Sequence, residues 1–267
     1  MALPALVAYG WFEAGWLREQ VVEVLVPGLP EQLEGLTIGH LSDLHLGAPG
    51  SKAARVGRRA ARWVAMRDPD LVCITGDLVA HPRGLEELRD ILGHLRSPFV
   101  VLGNHDVGET KDPFSQATHL RATGATILVD EAVTCTVHGC RINVAGADPR
   151  SRAEALARLS DPTAAFNVLL VHRPDAAEGL PPHRFDLVLA GHLHAGQVTV
   201  SLGRRRLGLA HPWAVHLEGL RATPAGWLHV SAGTGTTFVP FRLNARPAVT
   251  ELVMRKPAVA GGAEITP

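Results

Sequence analysis

Five short blocks of the sequence combine carboxylate, imidazole and amide side chains: Ser42-Asp43-Leu44-His45, Thr75-Gly76-Asp77, Gly103-Asn104-His105-Asp106, Val171-His172-Arg173 and Gly191-His192-Leu193-His194. Taken one at a time they say little. Asp-x-His arises by chance, an aspartate at a strand end commonly caps the next helix, and a lone histidine is usually a surface or core residue. Taken together they gather oxygen and nitrogen donors of the kind that hold divalent metal ions. That donor set suits manganese, iron or zinc, and it excludes a thiolate-rich structural zinc site. Asp43 and His45 are two apart, as are His192 and His194. In extended chain such pairs point to the same side and can converge. Two ions balanced by Asp43, Asp77 and a hydroxide, with neutral histidine and asparagine ligands, keep a net positive charge. Such a centre attracts an anionic phosphate while holding a nucleophile.

The elements that must position these groups are legible around them. Buried apolar runs at 36–41, 71–74, 99–102, 168–171 and 187–190 read as strands, and each ends on one of the five blocks. Amphipathic helical patterns lie at 52–66, 85–95, 114–122 and 153–159. Strands alternating with helices predict a layered α/β fold, and in open α/β sheets the carboxyl ends of the strands are where ligands bind. Gly76, Gly103 and Gly191 give the backbone room beside a crowded centre. Segments 131–137 and 141–145 read as a hairpin, and 197–201, 217–221, 227–231 and 249–254 as later strands. The expected organisation is a short apolar segment 1–18, a single domain over 19–256 and a flexible tail 257–267.

Composition narrows the function. Lys plus Arg total 26 and Asp plus Glu total 26, so a generic nucleic-acid binder is disfavoured and no nucleic-acid partner is expected. Cys73, Cys135 and Cys140 form no Cys-x-x-Cys pair and read as buried thiols. Residues 2–12 are apolar but shorter than the roughly 20 residues a spanning helix needs. They predict either a short helix packed on the domain or the membrane-proximal end of an anchor, with Trp11, Trp16 and Arg18 at its interface. The helix at 52–66 carries Lys52, Arg55, Arg58, Arg59 and Arg62. We read it first as a solvated face, with peripheral contact to an anionic membrane as the alternative. Arg204-Arg205-Arg206 reads as an exposed turn, with a grip on a second phosphate as the alternative. Arg173, next to His172, has the stronger claim to a phosphate. Gly233-Thr-Gly-Thr-Thr237 lacks the end of a P-loop and reads as a tight turn, and His81 is close enough to Asp77 to line a pocket.

In their order, Asp-x-His, Gly-Asp, Gly-Asn-His-Asp, a lone His and Gly-His-x-His resemble the calcineurin-like metallophosphoesterases, over about residues 36–194. Leu41-Ser-Asp-Leu-His-Leu-Gly47, Gly191-His-Leu-His-Ala-Gly-Gln197 and Gly233-Thr-Gly235 further resemble a bacterial membrane-associated branch. That branch contains phospholipid head-group phosphodiesterases and UDP-diacylglucosamine pyrophosphatases. Leu193, Ala195 and Ala232 depart from it, standing where Thr, Gly and Arg are more usual. The resemblance implies a four-layer α/β/β/α sandwich of two mixed sheets flanked by helices. It implies two divalent ions, manganese first and iron or zinc as alternatives. One would be held by Asp43, His45 and His194, the other by Asn104, His172 and His192, with Asp77 bridging. A bridging hydroxide would attack phosphorus, His105 would serve the leaving oxygen, and Asp106 would orient that imidazole. The substrate implied is a phosphate ester, lipid-linked in this branch, split at a phosphodiester or pyrophosphate bond in the bacterial cytoplasm or at its membrane. Alternatives are a cyclic-nucleotide phosphodiesterase, a general phosphomonoesterase, and a catalytically silent protein-binding scaffold of the same fold.

Overall fold

The computed structural model describes residues 3–113, 115, 124–202, 205–214 and 216–257. Apart from residues 115 and 257, the helix expected over 114–122 and the tail expected over 257–267 lie outside the described residues. In chain order the elements begin with α1 (Leu3–Glu13), β1 (Arg18–Leu25), β2 (Thr37–Leu41), α2 (Ala53–Arg67), β3 (Leu71–Thr75), α3 (Leu85–Gly93), β4 (Phe99–Val101) and β5 (Thr126–Ile127). They continue with β6 (Glu131–Val137), β7 (Cys140–Gly146), α4 (Ala153–Leu156), β8 (Phe166–Leu170), β9 (Leu187–Ala190), β10 (Thr199–Leu202), β11 (Arg205–Gly208), β12 (Gly219–Thr223), β13 (Gly226–Val230) and β14 (Ala248–Arg255).

Two six-stranded mixed sheets form, ordered β1-β14-β2-β3-β4-β5 and β12-β13-β9-β8-β7-β6. Strands β2 to β5 are parallel neighbours in the first, and β7, β8, β9 and β13 run parallel in the second. Side-chain alternation along the strands builds the layers. Ile142 and Val144 of β7, Phe166, Val168 and Leu170 of β8, and Leu187 and Leu189 of β9 pack inward against Ile38, Leu71, Cys73 and Val101 of the first sheet. Their alternating neighbours Ala145, Leu169, Val188 and Ala190 face outward and are covered by Leu156, Ala177, Leu180 and Phe185. On the opposite side, Leu41, Val72, Ile74 and Val100 are covered by Val56, Ala60 and Val64 of α2 and Leu88 and Ile91 of α3. Three apolar interfaces thus separate four layers, α/β/β/α.

The fold differs from the sequence expectation in particular places. β1 begins at Arg18, in a stretch where no strand was expected, because it is an edge strand whose side chains alternate between covered and exposed, with Val24 alone fully buried. It pairs in parallel with β14 from the far end of the chain. The helix expected over 153–159 is one α-turn followed by a 3₁₀ turn at Ala157–Leu159. α1 seats itself by two residues: Gly10, whose carbonyl accepts the Arg242 N–H at 3.0 Å, and Glu13, whose carboxylate accepts the N–H groups of Asn244 and Ala245. Its Leu3, Val7, Trp11 and Phe12 stay exposed. Among the described residues no helix is long and apolar enough to cross a membrane. On α2, Arg58 pairs with Asp90 at 2.5 Å and Arg59 with Glu19 at 2.8 Å, as on a solvated face.

Candidate metal centre

The five blocks leave the carboxyl ends of β2, β3, β4, β8 and β9 and meet at one edge between the sheets. The extended-chain reason given for Asp43/His45 and His192/His194 does not hold. Asp43, His45, Asp77, His192 and His194 all adopt left-handed backbone, with φ between 44° and 70°. Such conformations are costly for non-glycine residues and persist where the surroundings over-determine them. Here the β2 and β3 exits are zipped together: Asp43 N–H donates to the Gly76 carbonyl at 3.0 Å and His45 N–H to the Asp77 carbonyl at 2.9 Å. The turn at Gly233–Gly235 closes on them from the other side, with Gly235 N–H donating to the Asp43 carbonyl at 2.7 Å. Gly103 and Gly191 are required by proximity. A Cβ on Gly103 would sit 2.0 Å from Asp77 Oδ1, and one on Gly191 would sit 1.9 Å from Ser42 Oγ.

Two donor groups result. Asp43, His45, Asp77 and His194 form one; Asp77, His172 and His192 form the other, each with its candidate ligand atoms within 4.8 Å of one another. Asp77 Oδ2 lies 3.4 Å from both His45 Nε2 and His172 Nε2. His194 Nε2 lies 3.4 Å from Asp43 Oδ1 and 3.1 Å from His45 Nε2. His192 Nδ1 stands 3.2 Å and Asn104 Oδ1 3.1 Å from His172 Nε2. Asn104 spends its amide N–H on the Glu109 carbonyl, which leaves Oδ1 facing the centre. Donors about 2.0–2.2 Å from a common ion are separated by about 3.0–3.4 Å, so these spacings fit.

Burial dominates the electrostatics. It pushes His45 and His192 down to about 3 and His194 well below its ordinary value, keeping those imidazoles neutral as ligands must be. Burial, with the neighbouring Asp77, pushes the Asp43 carboxyl up to about 6 against the pull of His172. Asp77 is held low: burial opposes its charge, but His172, His45 and His105 outweigh it. His172 rises to about 9, because Asp77 and Asp43 overcome the cost of burying its cation.

His105 sits beside both groups, its ring edge-on to His45 at 4.6 Å between centroids. Asp106 does not orient it. The Asp106 carboxylate instead accepts the N–H groups of Leu78, Val79 and Gly103, bracing the β3 and β4 exits against each other. The His105 imidazole meets hydroxyls: Ser115 Oγ at 2.9 Å from Nδ1 and Thr110 Oγ1 at 3.1 Å from Nε2. His81 does not line the site; its Nδ1 caps the turn that follows by accepting the Arg83 N–H.

Residues that spacing did not single out complete the neighbourhood. Arg242 is fully buried and donates to the carbonyls of Ala232, Gly233, Gly235 and Ala245. It binds the Gly233–Gly235 turn to the back of His194, whose Nδ1 is 3.3 Å away. Its only sequence signal was a charge inside an apolar stretch. A cavity of about 520 Å³ opens beside His192, lined by Arg173, His211, Trp213 and Arg221 among others. Arg173 pairs with Asp175 at 2.8 Å. Of the Arg204-Arg205-Arg206 run, Arg204 lies outside the described residues, and Arg205 and Arg206 open β11.

Comparison with known proteins agrees with this geometry. The chain is 28% identical over 272 residues to the uncharacterized metallophosphoesterase YkuE of Bacillus subtilis, covering 95% of this chain and 92% of that one. It is 28% identical over 196 residues to the phosphodiesterase YaeI of Escherichia coli, covering 69% and 70%. A transmembrane protein with metallophosphoesterase domain from Bos taurus is 31% identical over 265 residues, covering 88% of this chain and 56% of its own length. The profile of the calcineurin-like phosphoesterases matches residues 36–196, the stretch that carries all five blocks. With the two-sheet sandwich and a divalent-metal donor cluster at its edge, that match decides the matter: the chain belongs to the calcineurin-like phosphoesterases, hydrolases of phosphate esters.

Proposed function

We propose that the protein is a binuclear metallophosphoesterase that splits a phosphodiester or pyrophosphate bond of a lipid-linked substrate. The observation that carries this is the sharing of Asp77 by two donor groups. Asp43, His45 and His194 would hold one ion, Asn104, His172 and His192 the other, and Asp77 would belong to both. Fully buried carboxylates at 43 and 77, facing imidazole nitrogens at 3.4 Å, are a costly arrangement without a cation between them. Two divalent ions, manganese in our reading, supply charge neutralisation on the phosphoryl oxygens and a water made acidic near neutral pH.

The chain's own residues do the rest. His105 Nε2 stands at the rim of the cluster, 3.8 Å from Asp77 Oδ2, where a proton held on it can pass to a departing oxygen. Thr110 and Ser115 fix the ring at both nitrogens. Arg173 and Arg221 in the cavity beside His192 can meet the charged part of the substrate that is not attacked.

The lipid reading draws support from α1. Its exposed Leu3, Val7 and Trp11 run beside Pro240 and Phe241, and Phe12 is exposed as well. The loop that continues from there carries Phe238 and Val239 and is tied to Asp112 through the Phe238 N–H at 2.8 Å. An apolar helix with aromatic side chains and neighbouring cations, Lys52 over Trp11 and Arg246 over Trp16, suits contact with an anionic bilayer. The test is hydrolysis of an aryl phosphodiester beside the matching monoester, with manganese and after chelation. Chelator-sensitive cleavage favouring the diester is expected. Preference for the monoester would replace this reading with a phosphomonoesterase.

A further inference from the structure

His40 and His229 are fully buried and belong to neither donor group. They meet between the sheets, His40 on β2 and His229 on β13, with Nδ1 to Nδ1 at 2.8 Å. The other ring nitrogen of His40, Nε2, lies 2.9 Å from Thr75 Oγ1. That hydroxyl donates to Ser42 Oγ at 2.7 Å, and Ser42 Oγ donates to the Thr75 carbonyl at 3.1 Å. The same carbonyl oxygen is 2.8 Å from His172 Nδ1.

Counting protons gives this chain one direction. Ser42 has a single hydroxyl proton and spends it on an oxygen that can only accept. Its own oxygen takes the Thr75 proton, so Thr75 has none left for His40. His40 therefore donates from Nε2. Burial, and then the neighbouring His229, keeps His40 neutral, so its Nδ1 carries the lone pair and receives the His229 Nδ1–H. His229 Nε2 is then the bare end of the chain, and it is buried with no hydrogen-bond partner. At the other end the Thr75 carbonyl takes the His172 Nδ1–H. With Nδ1–H fixed on that carbonyl, Nε2 is the ring nitrogen turned toward Asp77 and Asn104, the one whose lone pair a metal ion would take.

We propose that His40 and His229 are positioning residues for the metal centre: through Thr75 and Ser42 they fix the carbonyl that orients the His172 imidazole. Four polar side chains buried between sheets add little stability over well-packed apolar ones. What this network supplies is a defined direction, delivered to the two segments that carry Asp43 and Asp77.

The inference rests on the metal-centre reading, and the experiment separates the two. Metal-stripped protein is titrated with manganese by calorimetry, for the native chain and for His229→Leu, His229→Asn and Thr75→Val. The native chain is expected to take two ions. His229→Leu and Thr75→Val are expected to weaken one of the two binding events by about 10–100-fold, as loss of an outer partner of a metal-bound histidine does, and to spare the other. His229→Asn, which keeps a donor near the Nδ1 position, should recover most of the loss. Thr75→Val breaks the chain at a separate link and serves if His229→Leu does not fold. Nitrogen-15 spectra of the metal-free native protein should show His40 protonated at Nε2 and His229 at Nδ1. The reverse tautomers, or folded variants that bind both ions as the native chain does, overturn the positioning role. A native chain that takes up no manganese overturns the metal reading itself, and the positioning role with it.

Discussion

The backbone N–H of His105 donates to Asp77 Oδ1 at 2.9 Å, while the imidazole of the same residue stands 3.8 Å from Asp77 Oδ2. One residue thus grips the shared carboxylate with its main chain and faces it with its side chain. The two contacts separate under mutation. His105→Ala keeps the amide and removes only the ring. Metal content should stay at the native level while kcat falls by roughly a hundredfold or more, the usual loss of a general acid. Asp77→Ala removes a donor from both groups and should empty or disorder both, abolishing turnover. Metal analysis beside steady-state kinetics distinguishes them; an Asp77→Ala protein with two ions and full rate would contradict the shared role.

Asp106 predicts a different signature. Its carboxylate holds three backbone N–H groups from two loops, whereas among the described residues the His105 ring hydrogen-bonds to Ser115 and Thr110. Asp106→Ala leaves those amides buried and unpaired, at about 1–3 kcal/mol each before relaxation. The variant should unfold at markedly lower denaturant. The pH at which the His105-dependent limb of the rate profile bends should stay where it is. A displaced limb in a protein of native stability would restore the orienting role that the sequence resemblance implied.

Gly191→Ala tests how tightly the second sheet is docked on the first at the site. The added methyl would meet Ser42 Oγ at 1.9 Å and Asp43 Oδ2 at 2.4 Å, neither of which can retreat without moving a candidate ligand. Overpacking of this kind costs about 1–3 kcal/mol. The loss should appear as weaker manganese binding together with a lower unfolding midpoint. Native metal affinity in the variant would mean that the β9 exit is looser than the contacts indicate.

These contrasts follow what a sequence can and cannot carry. The buried strands ending at Leu41, Thr75, Val101, Leu170 and Ala190 were legible because apolar runs bounded by glycine and polar residues have few other uses. The left-handed turns at Asp43 and His192 were not, because non-glycine residues reach that backbone only when the rest of the fold holds them there. Arg242 lies 48 residues from His194 and His229 lies 189 from His40, so neither pairing has any local pattern. β1 escaped because an edge strand with one solvated face lacks the apolar run that marked the others.

Contact with lipid should depend on α1 more than on α2. Leu3, Leu6, Val7, Tyr9, Trp11 and Phe12 of α1 are exposed together, against Met66 on α2, and Arg58 and Arg59 of α2 are already paired with Asp90 and Glu19. Co-sedimentation with vesicles containing anionic lipid should fall sharply for the double variant Trp11→Ser, Phe12→Ser and change little for Arg58→Gln. Neither position carries a candidate ligand, so hydrolysis of a soluble diester should be unaffected in both. If the native chain stays in the supernatant at low salt, the lipid-docking part of the proposal fails while the phosphoesterase reading stands.

Acid should destabilise the metal-free protein through His229, with a sign set by burial. Burial holds the folded-state value near 4, while the flanking Glu218 raises it and Arg18 lowers it; His40 faces it across the sheets and is likewise held low. The unfolded chain takes up this proton near the ordinary value of about 6.5, before the folded chain does. The associated stability is therefore present in full above about 6.5 and is lost as the pH falls toward 4, at up to about 1.4 kcal/mol per pH unit for one such group. His45, His192 and His194 of the stripped protein, all held low by burial, add slopes of the same sign, whereas His172, raised by Asp77 and Asp43, adds one of the opposite sign. The informative quantity is thus the difference between the native chain and His229→Leu, from denaturant unfolding at pH 7, 6 and 5. The variant should lose stability more shallowly by about one proton's worth. Parallel curves would mean that His229 titrates alike in both states and is not buried neutral.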